Sequence, residues 1–422
     1  MIEKTIAVGL ILPDLARSVA EEHLDELEKL IETAGGAVVR KVLAKRNGPD
    51  PATFVGSGKA EEIKQLALQH EATLVVFDDD LSPAQVRNLE KIIEKAKVMD
   101  RSGLILDIFA GRARSRESRT QVELAQLEYM LPRLTRAWSH LSRQGGGIGT
   151  RGVGETQLET DRRIVRTRIA RLKDELQKIE RTRETQRKSR SDAFTIALVG
   201  YTNAGKSTLF NRLTKGSAEA IDKLFATLDA KSQRAAFEMP RETVIIDTVG
   251  FIRKLPHHLV ASFRSTMEEA VAADLVLHVV DGSHPQFEDQ RAVGDEVLRD
   301  LGIDSDRVIE VYNKSDRFGA DGLELSAPRS RNAVAVSALT GAGIDRLIAL
   351  LRDRELAGGE VMHLTIPHGA SRDIARLHEL AQISEQSSDD EAVHVTAWVP
   401  ADAVHFFEAY SATRLLKPAK VS

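Results

Sequence analysis

Gly200-Tyr-Thr-Asn-Ala-Gly205-Lys206-Ser207 is the stretch around which this 422-residue chain is organised. It fits G-x-x-x-x-G-K-[ST], a loop whose glycines let backbone N–H groups close around phosphate oxygens. A run of small and β-branched residues, Phe194-Thr-Ile-Ala-Leu-Val199, precedes it, and the helical pattern Ser207-Thr-Leu-Phe-Asn-Arg-Leu213 follows. A strand, a loop and a helix in that order place phosphate at a helix N-terminus. The spacing predicts that Asn203, Ala204, Gly205, Lys206, Ser207 and Thr208 surround the phosphates. Lys206 is expected to reach the β/γ-phosphates, and the Ser207 hydroxyl to bind Mg²⁺.

Two further strings fix the nucleotide. Asp247-Thr-Val-Gly250 closes the apolar run Thr243-Val-Ile-Ile-Asp247. A carboxylate there suits the hydrogen-bonded surroundings of Mg²⁺, and the Gly250 N–H suits the γ-phosphate. Asn313-Lys314-Ser-Asp316 follows Val308-Ile-Glu-Val-Tyr312. Asp316 offers two acceptors to the N1–H and 2-amino donors of guanine; adenine lacks that donor pair and would leave the carboxylate unpaired. Ser337-Ala338, after Ala333-Val-Ala-Val336, is expected to complete the base pocket through backbone N–H groups. Three strings in this order, each at a strand end, imply an α/β P-loop domain that binds and hydrolyses GTP to GDP.

Bulk properties set limits on the rest. The chain holds no cysteine, which excludes a disulfide framework and thiol-ligated metal. The start, Met1-Ile-Glu-Lys-Thr-Ile, lacks the order of a secretory leader, and no apolar run approaches a membrane span. A cytoplasmic monomer with no integral membrane association is expected. The net charge of −4 is unevenly spread: residues 112–190 hold 20 Lys/Arg against 10 Asp/Glu, a local +10 that leaves −14 for the remainder. Such segregation suggests a polyanionic partner, the alternative being a solvated helical surface.

Four segments are expected. Residues 1–111 alternate strands (Ile6–Ile11, Ala37–Leu43, Thr73–Phe77) with helices (Leu15–Ala34, Lys59–His70, and one opened by Ser82-Pro83), the pattern of a parallel sheet. Gly56-Ser-Gly58-Lys59 lies at a helix entry, where a phosphate contact competes with a plain helix-start turn. In residues 112–191, apolar positions fall at Leu124, Leu127, Leu131, Leu134, Trp138 and Leu141, then at Leu158, Val165, Ile169, Leu172, Leu176 and Ile179. These heptad seams predict an antiparallel helical hairpin, interrupted at Pro132. Its link, Arg143 to Glu155, has six glycines at positions 145–154 beside Arg143 and Arg151, an arrangement suited to close backbone approach and phosphate contact. Residues 192–355 form the nucleotide domain. Residues 356–422 read as a small α/β domain, with strands Glu360–Ile366 and Ala392–Trp398, helices Ser371–Ile383 and Pro400–Ala409, and a polar turn from Ser384 to Glu391.

Taken together, the strings resemble the HflX family, bacterial GTPases of the translation-factor-related class. The match is carried by Gly145 to Arg163, by Leu224-Phe-Ala-Thr-Leu-Asp229, by Asp247-Thr-Val-Gly-Phe251 and by Thr53-Phe-Val-Gly-Ser-Gly-Lys59. The family usually has proline where this chain has Val153. The resemblance implies binding to the large ribosomal subunit and its rRNA, with the N-terminal unit and hairpin directed toward the peptidyl transferase region, and a role in splitting or rescuing ribosomes. No DNA partner is implied.

Within that frame Thr227 is the switch threonine expected to close on Mg²⁺ when γ-phosphate is present, with Thr208 as the alternative. Lys206, Thr227 and Gly250 are the expected catalytic set. Many GTPases carry a glutamine after the Asp-x-x-Gly string to orient water; here Phe251 occupies that place and cannot. Slow unaided hydrolysis follows. Asn203 resembles an asparagine that in some related GTPases helps hold K⁺, so K⁺ stimulation is expected; the alternative is that Asn203 only serves the tight turn. Two other functions compete: a large-subunit assembly factor using GTP as a timer, and an ATP-dependent rRNA remodeller acting through the N-terminal segment.

Overall fold

A computed structural model describes residues 2–134, 157–188, 193–214, 216, 224–225, 227–239, 241–254, 267–318, 332–401 and 403–413. The hairpin link, with Arg143 and Arg151, lies outside them, as do Trp138 and Leu141. Two compact units divide the chain. The first comprises Met1–Thr185, Ile221–Asp229 and Val249–Met267; the second comprises Gln186–Ala220, Ala230–Thr248 and Glu268–Ser422. This partition crosses the four expected segments. The parts around Thr227 and Gly250 group with the N-terminal unit because they pack on its helices, a tertiary contact that no local pattern announces.

In the first unit, β1 (Glu3–Ile11), β2 (Gly36–Lys45), β3 (Leu74–Phe77) and β4 (Lys97–Asp100) form a parallel sheet in the order β2-β1-β3-β4. The crossover helices are α1 (Arg17–Thr33), α2 (Ser57–His70) and α3 (Pro83–Ile93). Buried Val8, Val75 and Phe77 of the strands meet Ile63 and Leu89 of the helices. At α3, Ser82 accepts from the Gln85 N–H while the Gln85 side chain accepts from the Ser82 N–H, and Pro83 stands at the first position. Both orphan donors at that helix start are thereby satisfied. The Gly56-Ser-Gly58-Lys59 stretch is the start of α2: Gly56 has φ +88°, and Lys59 pairs with Glu62 at 2.7 Å. Its geometry is that of a helix-start turn.

Helices α4 (Arg101–Arg112) and α5 (Arg116–Met130) follow the sheet, and α5 ends in a 3₁₀ turn, Leu131–Arg133, at the expected Pro132 break. α6 (Gln157–Lys188) runs back along α5: Glu123 pairs with Arg168 at 2.7 Å and Arg116 with Glu175 at 2.8 Å, partners in opposite chain order. Leu124 of α5 and Leu172 of α6 are both buried.

The second unit holds β5 (Phe194–Gly200), β6 (Lys231–Arg234), β7 (Thr243–Asp247), β8 (Leu275–Asp281), β9 (Val308–Asn313) and β10 (Ala333–Ala335), in the order β10-β9-β8-β5-β7-β6. All pair parallel except β6, which runs antiparallel to β7 at the edge. Fully exposed Lys-Ser-Gln-Arg in β6 explains why sequence patterning missed it: an edge strand has no apolar face to display. Phe210, Leu277 and Leu347 bury in the core between sheet and helices.

The C-terminal part is an antiparallel sheet of β11 (Gly359–Pro367), β12 (Gln382–Ser388), β13 (Ala392–Pro400) and β14 (Ser411–Thr413), in the order β12-β13-β11-β14. Two expectations are corrected here. The helix from Ser371 stops at Leu380, and the segment read as a polar turn belongs largely to β12, paired with β13 from Gln382 to Ser388. An exposed edge strand rich in Ser, Gln and Glu has the composition of a turn, so only pairing reveals it. The helix expected over Pro400–Ala409 shrinks to Val404–Phe407 and a 3₁₀ turn, Glu408–Tyr410.

The α3 cap gives a direct stability test: Ser82→Ala is expected to lower the unfolding free energy by about 1 kcal/mol, measured by urea denaturation, with an unchanged denaturant slope.

Candidate functional site

The phosphate loop is shaped by two glycines that no other residue could replace without displacement. Gly200, at φ +145°, brings the backbone so near β8 that a Cβ would lie 2.1 Å from the Val279 carbonyl oxygen. Gly205, at φ +89°, would place a Cβ 2.2 Å from Asn313 Nδ2. Asn203 is exposed and itself adopts φ 61°, a left-handed conformation that asparagine tolerates. Helix α7 (Lys206–Thr214) starts directly after the loop, so its N-terminal dipole end faces the loop interior. Ala204 is wholly buried, and Thr208 is half-buried in the first turn.

Lys206 is buried, with Nζ donating to the carbonyl oxygens of Gly200 at 3.0 Å and Tyr201 at 2.8 Å. Burial pushes its ammonium down to about 8, partly opposed by the Asp247 charge. At 1.36 kcal/mol per unit, the buried charge costs the folded protein about 3 kcal/mol at neutral pH. A buried cation at a helix N-terminus is electrostatically suited to an anion. Ser207 Oγ donates to Asp247 Oδ2 at 2.9 Å, joining a hydroxyl from α7 to the carboxylate that ends β7. The next residue, Thr248, donates to the Leu198 carbonyl at 2.6 Å and ties that strand end to β5.

The base end lies at the tips of β8, β9 and β10. The Asn313 carboxamide donates to the Ala204 carbonyl at 2.9 Å and accepts from the Ala338 N–H at 2.9 Å, linking the phosphate loop to the segment after β10. Lys314 takes φ 63° and pairs with Asp281 at 2.7 Å. Burial would raise the Asp281 carboxyl, but hydrogen bonds from Lys314 and Ser283 overcome this and hold it below the usual range. Asp316 is exposed in the 3₁₀ turn Ser315–Arg317, and the Ser337 hydroxyl donates to its Oδ1 at 2.5 Å. The Ser337 N–H donates to Ala342 O at 2.9 Å and the Ala338 N–H to Asn313 Oδ1 at 2.9 Å.

Sequence reasoning missed Asp281 and Arg212. Asp281 ends β8 as Asp247 ends β7, and a strand-terminal carboxylate was the available signal. Arg212 of α7 donates through Nε to Ala338 O at 3.1 Å, a bond that only the packed structure shows. Thr227 and Gly250, grouped with the first unit, are both buried, as is Phe251. Among the described residues no helix is long and apolar enough to cross a membrane.

Three family models match the chain in succession: GTP-binding GTPase N-terminal over residues 21–110, GTP-binding GTPase Middle Region over 112–190, and 50S ribosome-binding GTPase over 195–314. The chain is 46% identical over 385 residues to GTPase HflX of Lacrimispora saccharolytica, covering 91% of this chain and 90% of that one. It is 44% identical over 375 residues to GTPase HflX of Escherichia coli K12, covering 88% of each. The GTPase HflX of Akkermansia muciniphila aligns over 98% of both chains at 38% identity. Among solved structures, a GTP-binding protein from Sulfolobus solfataricus in complex with GDP aligns at 23% identity and a TM-score of 0.45, over 83% of this chain and 98% of that one. With relatives this similar over most of its length, the chain belongs to the HflX family of GTPases and is a GTP hydrolase.

Proposed function

We propose that this GTPase acts on the large ribosomal subunit and splits or rescues ribosomes, with GTP hydrolysis as the switch. The observation that supports the ribosomal part is the match of residues 195–314 to a 50S ribosome-binding GTPase model; the Ser207–Asp247 pair beside buried Lys206 supports the nucleotide switch. The N-terminal and hairpin matches extend the likeness to the segments expected to touch rRNA.

Lys206 binds the β/γ-phosphates and stabilises charge that develops during transfer. Gly250 supplies an N–H to the γ-phosphate, and Asp316, oriented by Ser337, selects guanine. Asn203, Ala204, Gly205 and Thr208 complete the phosphate loop; Asn313, Lys314 and Ala338 brace the base pocket. Ser207 and Asp247 present hydroxyl and carboxylate oxygens, the donor set of a hard cation such as Mg²⁺. Among the described residues no group of three or more His, Asp or Glu side chains could hold a metal, so such a cation would share its ligands with phosphate. Ser207 and Thr227 would hold it, and it would neutralise phosphate charge. Phe251 is buried and apolar, so the missing group comes from a partner such as the ribosome, from another residue or from an ion; K⁺ held near Asn203 would act where an arginine finger otherwise does. Contact with rRNA falls to Arg143 to Glu155. The protein acts as a cytoplasmic monomer.

Three measurements test this reading. GTP turnover is expected to rise strongly with purified large subunits, and an Arg143→Ala/Arg151→Ala double variant is expected to lose that rise; an unstimulated intact chain sinks the ribosomal reading. Hydrolysis is expected to be faster in KCl than in NaCl at matched ionic strength, and equal rates remove the K⁺ role from Asn203.

The third measurement follows Lys206. Its folded-state value of about 8 lies below the ordinary 10.5. Phosphate favours the ammonium, so GDP binding should take up a proton, and weaken, as pH rises through that value. Calorimetry in buffers of different ionisation enthalpy from pH 7 to about 9 reads this directly; proton-neutral binding throughout contradicts it.

A further inference from the structure

Leu224-Phe-Ala-Thr-Leu-Asp229 has so far one residue with a role, Thr227. Two of its neighbours are fastened to the first unit. Phe225 is buried at φ 54°, and its ring meets that of Phe109 edge-on, with centroids 4.6 Å apart and planes at 78°. A phenylalanine holds such a strained conformation only where its surroundings impose it. On the other side of Thr227, the Asp229 carboxylate sits over the start of α5. Its Oδ1 accepts from the Ser115 hydroxyl at 2.6 Å, and its Oδ2 accepts from the N–H groups of Arg114 and Ser115 at 3.2 Å each. Ser115 is itself the cap of α5, accepting from the Ser118 N–H at 3.0 Å. Burial would raise the Asp229 carboxyl, but these hydrogen bonds hold it below the usual range.

Both anchors therefore end on the α4–α5 corner, and α4 is buried over most of its length, at Arg101 to Leu106, Ile108 and Phe109. The other end of α4 holds the second segment. Arg101 donates through Nε to the Arg253 carbonyl at 3.2 Å and pairs with Asp78 at 2.7 Å and with Glu26; Lys254 joins Asp78 at 3.2 Å. The stretches that carry Thr227 and Gly250 thus hang from opposite ends of one helix, and the helix that follows, α5, leads into the hairpin.

We propose that Asp229 and Phe225 are positioning residues for Thr227. The proposal rests on the reading of Thr227 as the γ-phosphate-sensing residue. If Thr227 senses the triphosphate only, its preorganisation strengthens GTP binding and leaves GDP binding untouched.

The test uses the intact chain and compares the affinities of a non-hydrolysable GTP analogue, GMPPNP, and of GDP. Asp229→Ala and Phe225→Ala are each expected to lower the melting temperature, because each removes a buried contact, and to weaken GMPPNP about tenfold beyond any change in GDP affinity, the scale of lost charge-assisted bonds. Asp229→Asn, which keeps an acceptor, should fall between. Asp229→Ala combined with Ser115→Ala should be no weaker than Asp229→Ala alone, since both remove one contact. An equal loss for GDP and GMPPNP, or an unchanged ratio while Thr227→Ala lowers it, overturns the positioning role. An unchanged ratio in Thr227→Ala itself overturns the Thr227 reading, and this proposal with it.

Discussion

A single carboxamide holds the nucleotide end of the second unit together. Asn313, at the tip of β9, bonds the phosphate loop at Ala204 with its amide and the base segment at Ala338 with its carbonyl. Gly205 must be glycine because that amide lies where a side chain would begin. Phosphate loop, base loop and central strand are therefore not three independent loops but one braced surface. A buried amide donates and accepts at once, which a charged side chain cannot do. Arg212 adds a second brace from α7 to the same base segment.

Charge is managed differently in the two units. In the second, Lys206 is buried with carbonyl partners and kept short of full compensation, the condition of a group waiting for an anion. In the first, Arg101, Arg253 and Lys254 meet Glu26, Asp78 and Asp79, so three positive and three negative groups balance. Burial, followed by the Arg253 charge, pushes His23 down to about 4, so this neighbour is neutral at physiological pH. The Arg101–Asp78 pair at its centre is buried; such a pair adds little net stability against apolar packing, but losing one partner leaves an uncompensated charge at a cost of roughly 3–5 kcal/mol, whereas the more exposed Lys254–Asp79 pair contributes little. Such a cluster enforces a specific arrangement of the segment after Gly250.

The surfaces that sequence reading placed well are those whose purpose is local. The phosphate loop requires glycines at fixed spacing, α3 requires Ser82 and Pro83 at its start, and Pro132 ends α5; each follows from backbone geometry within a few residues. The parallel sheets were legible, apart from the short edge strand β4 (Lys97–Asp100), because buried strands read as continuous apolar runs. The edge strands β6 and β12 were not, because their stability comes from hydrogen bonds to one neighbour and their side chains face water.

The sequence by itself determined the nucleotide class and the family, since phosphate and guanine each demand particular residue types at particular separations. Only the tertiary structure decided how Asn313 and Ser337 divide their bonds, and that Phe225, Asp229 and Arg253 belong to the N-terminal unit. The contacts of Phe225, Asp229 and Arg253 join residues more than a hundred positions apart, such as Ser115 and Asp229. No periodicity or spacing encodes such a pair, because it is set by the packing of whole helices and not by the geometry of a turn.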